Sequence, residues 1–343
     1  MKEFKDKYGS LLHEQEVDNG LLSFTVIPER GMDVGEICFK GKRVSWDKGR
    51  EYLIHPENVD LRKEGWDKGF YCAVSSVGPE VFGTPDEVRT VHGTGAYSIC
   101  DYKDVEVNTK GDITEVTGTF NIKGYDKDPV YKKQVKVFTA ANSHFLVREE
   151  VITNLTDERV PNDYGYHIQM CGRSFMENGG KYLLPVRPDR MLLRDSAPKE
   201  NDPKDIYPYD QDFDPIRCYQ YIPEQVKGLE MVADIKPCLK MMGDDKQPFT
   251  VECIVNADKT GLVFIVRPLA EFSRSLLAKR NVEDTMYAIE PCNTRPNSIR
   301  QKEIDGELRW LEPHESSVSH IAIGYTEDKV QINHLIQLIR DSY

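Results

Sequence analysis

The chain has 343 residues, 39% hydrophobic and 30% charged, with a formal net charge of -12 and a mean hydropathy of -0.55. That length allows one large β domain or two ordinary ones. No apolar run approaches the roughly 20 residues of a membrane helix, and no basic block suits nucleic acid.

The opening MKEFKDKYGS has no apolar segment behind its charges, so no signal peptide is expected. Residues 1–20 are polar and read as an edge strand or arm. From Leu21 the pattern turns β: LLSFTVIP, a turn at Glu29–Gly31, then MDVGEICFKGKRVSW with a hairpin turn at Gly41-Lys42. Residues 47–69 are charged and read as a loop or short helix carrying Trp66. Phe70–Val81 reads as a buried strand followed by a turn. Between Ala96 and Ile152 polar residues alternate with apolar or β-branched ones, which predicts antiparallel strands with one face buried and one wet.

The stretch Arg187–Tyr221, rich in Pro, Asp and Arg, reads as a long irregular excursion and a candidate rim or lid. Strands are expected again at Leu229–Ile235, Phe249–Val255, Gly261–Pro268 and Ser316–Tyr325. Two stretches read as helical: Leu269–Ala278, and Asp328–Arg340 with its spaced Val330, Ile332, Leu335, Ile336 and Ile339. With no repeat and no Gly-Ser linker, residues 1–343 read as a single all-β domain of mostly antiparallel sheets. Its core covers about 20–325, with a docked helix over about 328–340.

The eight cysteines form no CxxC pair, which argues against zinc and a disulfide framework and for reduced thiols in a cytoplasmic protein. No metal or cofactor is expected: GxGxxG, P-loop, HExxH and GxSxG motifs are all lacking.

Three short motifs carry the candidate chemistry. In YAIEPCNTRPNSIR, Pro291 biases Glu290 toward extended backbone, which fixes a lone carboxylate at a strand end with Asn293 and Arg295 beyond it. Such a carboxylate suits a general base, and equally a solvated residue before a turn. In VHGTGA the glycines permit close approach or sharp turning around His92, either above the sheet or as a turn residue bonded to a local carbonyl. In NDYGYHIQM, His167 lies among Tyr164, Tyr166 and Gln169, as a proton donor or as a packed core histidine. Arg30 and Arg295 stand out among the arginines because they sit in tight motifs. Trp66 is a candidate for stacking on a sugar face, while Trp46 and Trp310 read as core.

Taken in order, PERGMDVGEICFKGKRVSW, VHGTGA, YHIQMCG, IEPCN with Arg295, and RWLEPHESS resemble the aldose 1-epimerase (galactose mutarotase)-like family. Within it the sequence is most similar to a poorly characterised bacterial branch with an RGMDIG-type opening. The resemblance implies a β-supersandwich with a concave sugar site and cofactor-free interconversion of sugar anomers. It implies Glu290 as the base on the anomeric hydroxyl, His167 as the acid on the ring oxygen, and His92 as a hydroxyl-binding residue. Arg30, Arg89, Gln169, Asn293 and Arg295 are then the expected substrate contacts, Arg89 lying nearest to the family's arginine and Gln169 standing where the branch usually has Asn. The family's GLDH-like motif with its substrate-gripping aspartate has no match in this sequence, which leaves Asp212, Asp214 and Asp244 as the aspartates that could stand in for it. An ionised Glu290 beside a protonated His167 is expected, and with it a bell-shaped pH profile. The partner implied is a small-molecule sugar, with neither nucleic acid nor membrane, and with a homodimer open to it. The same residues also fit a non-catalytic sugar sensor, or an enzyme acting on an acidic or phosphorylated sugar.

Overall fold

A computed structural model describes residues 1–343 apart from 65, 125–127, 177, 195–216 and 281–285. Its strands are arranged almost wholly in two large antiparallel sheets. The first runs, in spatial order, through Lys2–Lys5, Leu11–Asp18, Leu22–Ile27, Asp33–Phe39, Val74–Val77, Gly165–Gln169, Met286–Cys292, Arg274–Arg280, Arg217–Tyr221 and Leu192–Leu193. The second runs through Lys181–Leu183, Phe249–Val255, Leu262–Pro268, Ser316–Thr326, Phe145–Asn154, Pro129–Ala140, Ile113–Lys123 and Glu106–Lys110.

Alternation along each strand sorts residues between layers. Phe24, Val34, Tyr166, Ile168, Leu277 and Ile289 of the first sheet meet Val135, Ile152, Ile254, Val263 and Ile321 of the second in one continuous core. This is the face-to-face arrangement of a β-sandwich. Phe249–Val255 and Leu262–Pro268 are buried on both faces, because helices cover the second sheet from outside. Lys236–Met241 and Lys329–Arg340 contribute Cys238, Leu239, Ile332, Leu335, Ile336 and Ile339 to that outer layer. The terminal helix is capped by Asp328, whose carboxylate accepts from the backbone N–H groups of Val330 and Gln331 at 2.7 and 3.3 Å.

Two expected elements differ. The sequence of Leu269–Ala278 suggests a helix, but Arg274–Arg280 is a strand paired with Met286–Cys292. Leu276 and Ala278 face outward while Leu277 faces the inter-sheet core, a period of two in an apolar run too short to tell strand from helix. Leu229–Ile235, whose sequence suggests a strand, instead forms a 3-10 turn, Leu229–Met231, leading toward the helix Lys236–Met241. Leu229, Val232 and Ile235 pack on the second sheet's outer face, so burial alone, without sheet pairing, explains the pattern.

A charged layer crosses the sandwich. Lys133 Nζ and Arg148 Nε lie 2.8 and 2.6 Å from Glu150, and Lys133 also donates to Ser76 Oγ at 2.6 Å. Ser76 Oγ also donates to Glu150 at 3.1 Å, tying strand Val74–Val77 to the second sheet, while Ser76 N donates to Asp33 at 3.0 Å within the first. Burial pushes the Glu150 carboxyl up, but Lys133 and Arg148 outweigh it and hold it down at about 2. The stabilisation from this carboxylate is therefore present above its unfolded-state value and is lost as pH falls toward 2. Replacing Glu150 with Ala leaves the buried Lys133 without its carboxylate and Arg148 with only the more distant Asp33 at 3.6 Å, and should destabilise the protein by about 3–5 kcal/mol. A lowered urea midpoint at neutral pH is the measurement that checks it.

Candidate active site

The outer face of the first sheet, away from the second sheet, carries the candidate residues. The strands Gly165–Gln169 and Met286–Cys292 pair with Gly165 across from Cys292 and Ile168 across from Ile289. That register sets His167 opposite Glu290, both side chains on the outer face, with Nε2 and Oε1 3.3 Å apart. Glu290 was expected at a strand end; the strand continues through Pro291 to Cys292, and the carboxyl is buried within it.

The pair sits in dry surroundings. Trp66 lies against both histidines, with ring centroids 4.5 Å from His92 and 4.7 Å from His167. Phe70 meets His167 edge-on at 5.3 Å, and Phe82 lies 5.4 Å from His92. Cys218, Leu276 and Ala288 belong to the same outer cluster. Burial therefore pushes the Glu290 carboxyl up to about 8, opposed in part by the Arg194 guanidinium, and pulls the His167 imidazole down to about 3. At neutral pH both groups are uncharged, contrary to the expected ionised Glu290 and protonated His167. Desolvation disfavours a separated pair of charges there.

Hydrogen bonding places the protons. Gln169 meets His167 Nδ1 through its amide, and with the amide oxygen facing that nitrogen the amide nitrogen donates to the Cys72 and His167 carbonyls at 3.0 and 3.2 Å. His167 then carries its hydrogen on Nδ1, and Nε2 is free to accept from the protonated Glu290 carboxyl. Gln169 thus contacts the catalytic candidate rather than open space.

His92 is buried 5.6 Å from His167, centroid to centroid. Its Nδ1 accepts from Gly83 N at 3.3 Å, which leaves Nε2 as an N–H donor. Burial, with His167, Arg194 and Lys302 nearby, keeps its pKa well below the ordinary value. The residue occupies the left-handed region at φ 60°, a conformation that surrounding contacts must enforce. Gly95 explains part of the VHGTGA motif: a Cβ there would stand 1.8 Å from the Gly78 carbonyl oxygen.

The remaining candidates lie elsewhere or are already engaged. Arg30 is fully buried with its guanidinium 4.1 Å from the centre of the Tyr97 ring, a stack that replaces the expected substrate contact. Tyr97 in turn reaches the carbonyls of Trp66 and Lys68, so Arg30 underlies the segment bearing Trp66. Arg89 pairs with Asp86 at 2.9 Å and Glu80 at 3.3 Å in the loop leading to His92. Asn293 is consumed by the backbone, accepting from Tyr164 N at 3.0 Å and donating to Asn162 O at 2.7 Å. Arg295 pairs with Glu307 at 3.1 Å, and Asp244 caps a turn at Lys246 N. Asp212 and Asp214, like most of the expected excursion, fall outside the described residues. Phe70, Phe82 and Arg194 completed the site without any motif to announce them. Their adjacency is a product of strand order, although Arg194 follows the short strand Leu192–Leu193 that pairs with Arg217–Tyr221.

Residues 12–324 match the family described as a domain of unknown function, DUF4432. The chain belongs to that family. No curated protein matches the sequence. Among solved structures, the chain is similar to a candidate aldose 1-epimerase from Klebsiella pneumoniae, at TM-score 0.80 and 18% identity over 97% of this chain and 84% of that one. A galactose mutarotase-like protein from Clostridium acetobutylicum matches at TM-score 0.63 and 14% identity, covering 95% and 98%. A galactose 1-epimerase from Lactobacillus acidophilus matches at TM-score 0.53 and 12% identity, also covering 95% and 98%. This DUF4432 chain therefore has the mutarotase-like β-sandwich fold that its motifs implied.

The protonation of the pair is directly observable. In the unliganded protein, infrared difference spectra should show a protonated-carboxyl band that persists at neutral pH and titrates away near pH 8. The band should be missing from Glu290→Gln. A Glu290 already ionised at pH 6 would contradict the placement of the proton.

Proposed function

We propose that this protein is a carbohydrate-active isomerase of the aldose 1-epimerase type, interconverting the anomers of a sugar by acid–base ring opening and closure. The observation that carries the reading is the buried His167–Glu290 contact, with His92 Nε2–H and Trp66 beside it. A hemiacetal requires little else. Its anomeric hydroxyl oxygen and its ring oxygen are bonded to the same carbon, so acid and base groups in direct contact can address both.

The pair holds one exchangeable proton. Sugar hydroxyls entering the site, with the Arg194 charge nearby, favour the carboxylate and move that proton from Glu290 to His167 Nε2. Glu290 then takes the proton of the anomeric hydroxyl. Electrons from that O–H bond form the carbonyl, the bond from the anomeric carbon to the ring oxygen breaks, and His167 protonates the ring oxygen. This returns the pair to its resting arrangement, carboxylic acid and neutral imidazole. Rotation about C1–C2 and the reverse transfers close the other anomer. Run in the opposite sense, with imidazole as base and carboxylic acid as donor, the pair still uses the same single proton. The pair, rather than either residue, sets the pH limits. Gln169 fixes the imidazole tautomer, and His92 offers its N–H to a hydroxyl.

The test is anomer exchange followed by NMR across a panel of sugars. Acceleration of at least one sugar is expected, reduced ~10²–10⁴-fold in Glu290→Gln. Because the carboxyl is uncharged at rest, glutamine is its near-isostere, and the variant's thermal unfolding should match wild type at pH 7. Sugar binding without acceleration of any sugar would replace the isomerase by a sensor on the same fold.

A further inference from the structure

A cavity of about 300 Å3 is lined by Arg190, Arg274, Leu276, Cys292 and Arg295 among others, and Leu276 is the cross-strand partner of Glu290. That volume lies within the range of small-molecule sites. Its floor is continuous with Glu290 through the sheet. Leu276 is paired across from Glu290, Arg274 is paired across from Cys292, and Arg274 shares the outward face of Leu276. Arg274 is thus the diagonal cross-strand neighbour of Glu290, a separation of about 7–8 Å between backbones. That is about the span of one hexopyranose ring.

The cavity's charge runs against that of the molecule. The chain as a whole carries -12. Here Arg190, Arg274 and Arg295 converge, and the Arg194 guanidinium bonds the carbonyl of Pro296 at 3.1 Å on the cavity wall. Two carboxylates oppose them. A single oxygen of Glu307 holds both Arg274 at 2.9 Å and Arg295 at 3.1 Å, while Glu224 meets Arg190 at 3.3 Å near the surface. Sharing one carboxylate orients two guanidinium forks and leaves positive charge over. Planar N–H donors of this kind match the oxygens of a carboxylate or a phosphate.

We infer that the cavity is an anion subsite, and that the sugar handled at Glu290 carries a carboxylate or phosphate at the end distant from its anomeric carbon. With the anomeric carbon at the His167–Glu290 pair, such a group falls within reach of Arg274 and Arg295. The inference rests on the isomerase reading for which end of the sugar faces the pair, but the subsite itself is testable without catalysis.

Calorimetric binding of a hexuronate, a hexose 6-phosphate and the matching neutral hexose should be compared in wild type, Glu290→Gln, Arg274→Gln and Arg295→Gln. One or both anionic sugars should bind at least about tenfold tighter than the neutral one, more weakly as salt rises. The identity of the tighter ligand separates carboxylate from phosphate. The preference should persist in Glu290→Gln and fall in both arginine variants. Arg190→Gln, on the exposed rim, supplies a variant whose folding is not at stake, and should reduce the preference less. Equal binding of neutral and anionic sugars by wild type overturns the subsite, as does a preference that survives in Arg274→Gln and Arg295→Gln. Arginine-dependent binding of anionic sugars with no anomer exchange would keep the subsite and remove the isomerase reading. Exchange of neutral sugars without anionic preference would do the reverse.

Discussion

Everything in the site depends on one strand register. Pairing Gly165 with Cys292 sets an imidazole across from a carboxyl on a face that aromatic rings keep dry. In water these groups would exchange one proton for a pair of charges. Within the sheet, burial raises the carboxyl and lowers the imidazole, so the proton stays on Glu290 and the contact is a neutral hydrogen bond. A slip of one residue would turn His167 into the inter-sheet core and destroy the site.

The register is held from beneath. Tyr166 and Ile168, the neighbours of His167, point into the inter-sheet core, and strand Val74–Val77 on the other flank is tied by Ser76 to Lys133 and Glu150 of the second sheet. From above, the stack of Arg30 on Tyr97 supports the segment that carries Trp66 over the histidines. The charged layer and this brace use residues that look functional in isolation. Their role is to fix the backbone on which the uncharged pair is displayed.

The fold was legible because alternation is a local property: each strand declares its buried face within a few residues. The same locality failed at Leu269–Ala278, where a short apolar run faces two different cores. Glu290, His167 and His92 could be singled out because proline and glycines next to Glu290 and His92, and tyrosines around His167, mark unusual environments in the sequence. Their ionisation could not be read, because it depends on Trp66, Phe70 and Phe82, brought close by folding. Asn293, Arg30 and Arg89 show the converse. Residue type and motif position suggested ligand contacts, but Tyr164, Tyr97 and Asp86 occupy those side chains. Arg190, Arg194 and Arg274 come near Arg295 only through the order of strands in the sheet.

The most direct measurement is the pH dependence of kcat/KM for anomer exchange on whichever sugar is accelerated. A pair that works with one shared proton is competent while Glu290 retains it, so the rate should be level from about pH 5 to 7 and fall as pH rises past about 8. A rate that instead climbs through pH 8 would mean that the free enzyme must lose that proton first, and would contradict the shared-proton pair.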